Sequence, residues 1–355
     1  EISTRDWSSD VCSSDLEKAK DLHYDPRVRL HILKRPGVFA KNSLDGWWDY
    51  FRHVARTLKL EKPDVVQAVN EEKAVVALPF KGWRFRHLVI DVYDSVTANR
   101  YRARWLDMAA GLCRGIGNLF ADAIIETGPE LRDMLGRHRA KCVIVENCPH
   151  DPGGEWAARL PAEGPVRLAL GGALSNRRMG LEPLIGALDL LPKGSVLVEA
   201  TGWLVDDYAK EVFAKHPAVN YRWLPKAVDF LKIASECDAL LYLRSDAHES
   251  AYRAAVRPNR IFDAMSVGRP VIVNADLAIA RWVERDDLGL VIPRLDPESI
   301  AAAIRQLPGR RAGLAEQSRR TRALFLDGHT WPVMEKRLAT LYAELGSSQK
   351  PTPTR

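Results

Sequence analysis

Residues 257–273, RPNRIFDAMSVGRPVIV, constrain the fold of this chain more than any other stretch. They read as a turn, an amphipathic helix, a glycine stop and a buried strand. Pro258 suits the first position of a helix, where a backbone N–H would be unpaired in any case. Ile261, Phe262, Met265 and Val267 give that helix an apolar face, with Asp263 off the face near the helix start. Gly268 stops the helix, and Pro270 prevents its resumption. Val271, Ile272 and Val273 are apolar without alternation, as in a strand buried on both faces.

The same alternation runs through most of the chain. Strands are expected at 63–69, 87–92, 121–126 and 142–146, and then at 166–170, 195–200, 219–224, 239–243, 270–273 and 289–292. Helices are expected at 44–60, 71–78, 100–120 and 130–135. A second series is expected at 179–191, 206–216, 227–235, 258–267, 279–285, 297–307, 311–326 and 331–345. Strand and helix in turn predict parallel sheets covered on both faces, an α/β fold. With 355 residues the chain is long enough for two such domains. The Pro- and Gly-rich stretch 151–165 reads as the linker.

An apolar content of 46% and a charged content of 28% place the chain among globular proteins. No apolar run approaches the ~20 residues that span a bilayer. The net charge of +6 permits contact with anionic lipid or phosphorylated ligands and does not imply nucleic-acid binding. Five cysteines without metal-type spacing suggest reduced thiols, hence the cytoplasm. Cys142 and Cys148 are close in sequence, with Cys142 at the start of an expected strand. Residues 1–16 lack a Met, are Ser-rich and show no periodicity; RDWSSDVCSSDL resembles translated sequencing-adapter sequence. They are expected to be a non-native or disordered arm.

Several residues are suited to chemistry. Residues 171–180, GGALSNRRMG, follow a strand and precede a helix. Glycines such as Gly172 let a backbone approach a ligand, and free N–H groups at a helix start attract phosphate. Arg177 and Arg178 add forked donors suited to a diphosphate. The carboxylate of Asp263 can accept two hydroxyl hydrogen bonds, as a diol requires, although an acid at a helix start is also favoured by the macrodipole. Asn259 and Arg260 share its turn, and Arg260 suits a phosphate. Gly202 ends a strand. Asp91 and Asp94 end another, where Asp94 suits a base or the cap of the next helix. Residues 83–87, WRFRH, with Arg100, Arg102, Arg104 and Arg114, mix aromatic and cationic groups, as a membrane surface requires. They equally suit a helix packed on the sheet with a solvated basic face. His248, Glu249 and Arg253 lie in a polar loop.

Residues 257–273 resemble the donor motif of glycosyltransferases with the two-domain GT-B fold, family 4 and its relatives, roughly P-N-K-[LI]-F-E-x-[ML]-x-x-G-x-P-V-[IV]. Arg260 stands for the Lys and Asp263 for the Glu. Residues 171–182 resemble that family's G-x-L-x-x-x-[RK]-[KR]-G-[LV] loop, with Ala173 and Met179 where many members carry Arg and Lys. Residues 63–69, the N-C-P turn at 147–149 and His329–Thr330–Trp331 resemble further family segments. The resemblance implies two Rossmann-like domains facing a cleft. It implies an acceptor-side domain at 17–150, a linker at 151–165, a nucleotide-sugar domain at 166–328, a helix at 329–346 returning to the first domain, and a disordered tail at 347–355. It also implies an incomplete N-terminal domain, because residues 28–33 (VRLHIL) resemble the third strand of such a domain.

The implied activity is transfer of a sugar from a nucleotide diphosphate sugar to a saccharide or lipid-linked acceptor in cell-surface polysaccharide or glycoconjugate synthesis. The enzyme would be cytoplasmic or peripheral at the inner membrane face. In the family the acid at Asp263 holds the ribose hydroxyls, Gly172, Arg177, Arg178, Asn259 and Arg260 handle the donor, and Gly202 lines the base pocket. Asp94 is the candidate base, in a segment where Tyr93 replaces the usual His. Family 4 carries a second acid eight residues before the ribose acid; here that position is Ala255, which leaves the donor sugar and the stereochemistry open. No cofactor or metal is expected, since no D-x-D ends a strand and fixed arginines can carry the diphosphate charge. The alternatives are a sugar-nucleotide epimerase and a non-catalytic partner subunit with a degenerate nucleotide site. A dinucleotide dehydrogenase is disfavoured, because no G-x-G-x-x-G follows a strand.

Overall fold

The structure, a computed structural model, describes residues 31, 44–92, 104–135, 141–158, 163–224, 227–245, 255 and 257–347. The arm at 1–16, the tail beyond 347, all but His31 of the strand expected at 28–33, and Tyr93, Asp94, His248, Glu249 and Arg253 lie outside the described residues.

The first half alternates α1 (Leu44–Glu61), β1 (Val65–Val69), α2 (Glu71–Ala77), β2 (His87–Val92), α3 (Arg104–Phe120), β3 (Ala123–Glu126), α4 (Pro129–Leu135) and β4 (Lys141–Ile144). After α5 (Gly154–Ala158) come β5 (Val166–Leu174), α6 (Asn176–Met179), α7 (Leu181–Asp189), β6 (Val196–Leu204), α8 (Asp207–Lys215), β7 (Val219–Tyr221), α9 (Ala227–Ala234) and β8 (Ala239–Tyr242). The chain continues through α10 (Asn259–Ser266), β9 (Val271–Asn274), α11 (Ala280–Arg285), β10 (Gly289–Ile292), α12 (Pro297–Arg310), α13 (Leu314–Gly328) and α14 (Trp331–Ser347).

Two sheets result, both parallel throughout. The first has the order β1-β2-β3-β4 and the second β10-β9-β8-β5-β6-β7. In the second, β5 has β6 on one side and β8 on the other, so successive crossovers leave it in opposite directions. That is the topological switch point, where helices diverge and a crevice opens at the carboxyl ends of the strands.

Alternation along the central strands sends side chains to both faces. On one face of the second sheet Leu168, Leu170, Val198 and Leu241 pack under α7 and α12. On the other, Ala169, Leu240, Val271 and Val273 pack under Phe230 of α9 and Ile261, Phe262 and Met265 of α10. The first sheet buries Leu88, Ile90 and Ile124 against α2 and Leu131. Its opposite face, Val89, Ala123 and Ile125, is covered by Leu341 with Leu338, Tyr342 and Leu345 from α14. Those four lie on one stripe of the helix, spaced three, four and seven residues apart. Arg337 of α14 donates to the Ile144 carbonyl at 3.1 Å, and Lys141 pairs with Glu344.

Several expectations are corrected. Strands β5 and β6 run four residues beyond their expected ends. The single helix expected at 179–191 is two, broken at Gly180, which has φ 62°. The stretch expected as linker contains α5, because Trp156 packs against the second core and Ala157 beside it is buried. Pro258 is the residue before α10, with ψ 146°, so the helix begins at Asn259. Residues 261–266 of α10 are all buried, so Asp263 has no solvent face to occupy and is itself 5% exposed. Gly268 stops the helix with φ 64°, as expected, and buried Arg269 donates to the Gly268 and Ser235 carbonyls. Burial holds the Arg269 guanidinium down to about 10. Among the described residues the four cysteines are free, and no helix is long and apolar enough to cross a membrane. The Cys142 thiol donates to Glu126, and burial with that carboxylate pushes it up to about 12.

Candidate functional site

The switch point at the end of β5 is built from glycine backbone. Gly172 and Gly202 are register partners on β5 and β6, with φ 117° and 126°. A Cβ on Gly202 would lie 1.9 Å from the Gly172 carbonyl oxygen. Gly202 is therefore demanded by the approach of two strands, and its carbonyl is further held by the Tyr221 hydroxyl at 2.7 Å. A role against a base is not needed to account for it. Gly172, by contrast, has its open side towards Arg260, whose guanidinium would be 3.8 Å from an added Cβ.

Helix α10 brings Arg260 and Asp263 together one turn apart. The Arg260 guanidinium donates from Nη1 to Asp263 Oδ2 at 2.8 Å and from Nε to the Gly171 carbonyl at 3.2 Å. It stacks on Phe230 of α9, 4.1 Å from the ring centroid. The Arg260 side chain is 26% exposed and that of Asp263 7%. A part-open guanidinium backed by a carboxylate can meet a phosphate with its remaining N–H groups, while the carboxylate accepts hydroxyls beside it. Asn259, the first residue of α10, is exposed at the same end.

Arg177 and Arg178 lie on α6, at the carboxyl end of β5, and both are exposed. The amides of this turn are not free for phosphate as the sequence suggests. Asp206, the cap of α8, accepts from the amides of Ala209 at 2.9 Å and Asn176 at 2.7 Å. Burial would raise the Asp206 carboxyl, but hydrogen bonds from Ala209, Ser175, Asn176 and Arg177 outweigh it and hold it below the ordinary carboxylate value. On the carbonyl side, Ser245 donates from its hydroxyl to Arg177 O at 2.5 Å and from its amide to Arg178 O at 3.1 Å. The turn is pinned from both sides and presents two guanidiniums. Met179 is buried rather than turned outward, and Ala255 is also buried.

In the first sheet, Asp91 sits near the carboxyl end of β2, accepting from the Gln67 amide at 2.7 Å. Burial raises its carboxyl above the ordinary value against the opposing hydrogen bond. Trp83 is 69% exposed and carries the Arg84 guanidinium 3.9 Å from its ring centroid. Among the described side chains of α3 the large exposed ones are apolar, Met108, Leu112, Leu119 and Phe120, with Arg114 half-buried; Arg100, Arg102 and the Arg104 side chain lie outside the described residues.

One buried ion cluster escapes sequence reasoning. Arg257 donates to both oxygens of Glu130, at 2.6 and 2.8 Å, and to Glu146 at 2.5 Å. These partners are 127 and 111 residues away, so no local spacing announces them. Glu146, Cys148 and His329 bring ligand atoms within 4.8 Å of one another. Both Glu146 oxygens are already engaged, by Arg257 and by His329 Nδ1 at 2.6 Å, and the guanidinium beside them disfavours a cation. The second role of Asp206 was equally hidden; its first, as a helix cap, is legible from an Asp ahead of an amphipathic run.

No protein-family model and no curated protein matches the chain in sequence. Solved structures do match in fold. Sucrose-phosphate synthase from Thermosynechococcus elongatus aligns with a TM-score of 0.70 at 15% identity, over 92% of this chain and 86% of that one. HepE of Anabaena, solved in complex with UDP, aligns at 0.64 and 15% identity over 82% of both chains. A glycosyltransferase from Rickettsia africae aligns at 0.64 and 12% identity, over 95% of this chain and 88% of that one. The likeness is one of fold: two parallel α/β sheets in the GT-B arrangement.

Proposed function

We propose that this chain is a glycosyltransferase that takes its sugar from a nucleotide diphosphate donor and passes it to a saccharide or lipid-linked acceptor. The observation that carries the reading is the Arg260–Asp263 pair at the switch point, beside the open backbone of Gly172. In this reading Asp263 takes the ribose hydroxyls, while Arg260, with Arg177 and Arg178, takes the diphosphate, and Asn259 borders it. Fixed cations in a crevice stabilise the charge that develops on a leaving diphosphate. The occupied amides of α6 shift that burden from backbone to guanidinium groups. Structures with this fold include HepE with UDP-glucose, which agrees with a nucleotide sugar as donor. Asp94, or Asp91 with its raised carboxyl, would face the acceptor.

Calorimetric titration with UDP, GDP and TDP, beside Asp263→Ala, tests this. One nucleotide should bind saturably and lose at least about tenfold in affinity in the variant, since the carboxylate's hydrogen bonds are charge-assisted. Failure of every nucleotide to bind folded protein would instead favour a non-catalytic partner subunit.

A further inference from the structure

We propose that Arg257 is a positioning residue that clasps the nucleotide-handling helix α10 to the carboxyl edge of the first sheet. The proposal rests on the reading of Arg260 and Asp263 given above and adds what holds them. Arg257 stands two residues before α10, joined to it by Pro258, whose ring fixes one backbone angle. Its side chain leaves the second sheet and enters the first. There it meets Glu130 of α4 through two parallel N–H···O bonds and Glu146, just after β4, through a third. Two carboxylates around one buried guanidinium satisfy its fork, whereas a Lys ammonium would match only part of that geometry.

The surroundings are shaped to this one side chain. A Cβ on Gly128 would lie 2.9 and 3.0 Å from Cγ and Cδ of Arg257, so the first sheet leaves a slot for the aliphatic stem. Below the guanidinium lies the Trp282 ring of α11, 3.9 Å to its centroid. The second oxygen of Glu146 holds His329, whose ring packs 5.3 Å from Trp282 and 5.6 Å from Phe262. Phe262 is the neighbour of Asp263 in α10. The clasp and the ribose-facing turn of α10 are thus one packed unit, with carboxylates from the first sheet at one end and Arg260 and Asp263 at the other.

Amide hydrogen exchange and UDP titration on Arg257→Lys, Glu130→Gln, their double variant and Gly128→Ala test the clasp. Gly128→Ala leaves every charge in place and crowds the clasp itself, the Arg257 stem at 2.9 and 3.0 Å and Glu130 Oε2 at 3.2 Å, so it serves even where a charge variant folds poorly. The expected result is faster exchange at 129–135 and 259–266 together in each single variant. UDP affinity should fall about tenfold, and the double variant should be no worse than Arg257→Lys alone. Exchange that rises on one side only, or single effects that simply add, would overturn the proposal. If wild-type protein takes no nucleotide, the donor reading fails by itself, and the paired exchange response still decides whether Arg257 joins the two segments.

Discussion

The two sheets solve the same problem with different resources. The second draws its covers mainly from helices that alternate with its strands or directly follow the last of them, α7 and α12 on one face, α9 and α10 on the other, where Phe325 of α13 and Met334 of α14 complete the core. The first covers one face locally and borrows the other cover from α14, far along the chain. The second is stiffened at its carboxyl edge by backbone contact and an over-subscribed carboxylate; the first presents there a half-buried acid, Asp91, whose carboxyl is raised above its ordinary value by desolvation. A parallel sheet needs cover on both faces, but not from adjacent sequence.

The comparison breaks most readily at Leu341. Leu341→Ala should cost about 2–5 kcal/mol, seen as early exchange in β2 and β3 while β5 and β8 stay protected. Uniform loss across both sheets would mean that they unfold as one unit. Next is Gly202→Ala. A methyl group 1.9 Å from a carbonyl oxygen, at φ 126°, cannot be absorbed without parting β5 from β6. A loss of about 1–3 kcal/mol is expected from the backbone conformation alone, confined to the second sheet; a neutral result would show that the strand ends yield.

Asp206→Ala should cost roughly 1 kcal/mol at neutral pH. Because the folded carboxyl lies below its unfolded value, that stability is present above about pH 4 and is lost as pH falls through the folded value. Melting curves of variant and wild type should converge in acid. Asp91→Asn has the smallest expected effect and the opposite sign. The folded carboxyl is raised, so its stabilising contribution is complete below about pH 4 and disappears as pH rises through the folded value. The Asn variant should be slightly more stable than wild type at neutral pH, with the advantage gone in acid. A variant less stable at pH 7 would mean that the Gln67 contact outweighs burial.

What was legible in the sequence follows the same division. Local rules of apolar period, cap and stop found α10 and β9, because Gly268 and Pro270 act on their own neighbours. They misjudged the ends of β5 and β6, because a Gly-Gly step looks like a loop unless the facing glycine is known. They placed Asp263 off the buried face because helical periodicity assumes one solvated side, and α10 has none along its last six residues. The Arg260–Asp263 pair was within reach of an i,i+3 rule. Arg257 with Glu130 and Glu146, and Asp206 with Asn176, were not. Each joins segments whose meeting depends on the whole fold.

The dependence of the first sheet on α14 has a consequence in time. Ribosomes deliver the chain in order, at about 5–20 residues per second. Strands β1 to β4 emerge roughly 200 residues before Leu341 and Leu345, which leaves Val89, Ala123 and Ile125 uncovered for about 10–40 s in each round of synthesis. The second sheet meanwhile receives α7, α9 and α10 as its strands appear and α12 directly after β10. The nascent chain thus carries one sheet covered soon after its strands appear and another that waits with one bare apolar face, and that face is the place where a chaperone would find purchase before the protein is complete.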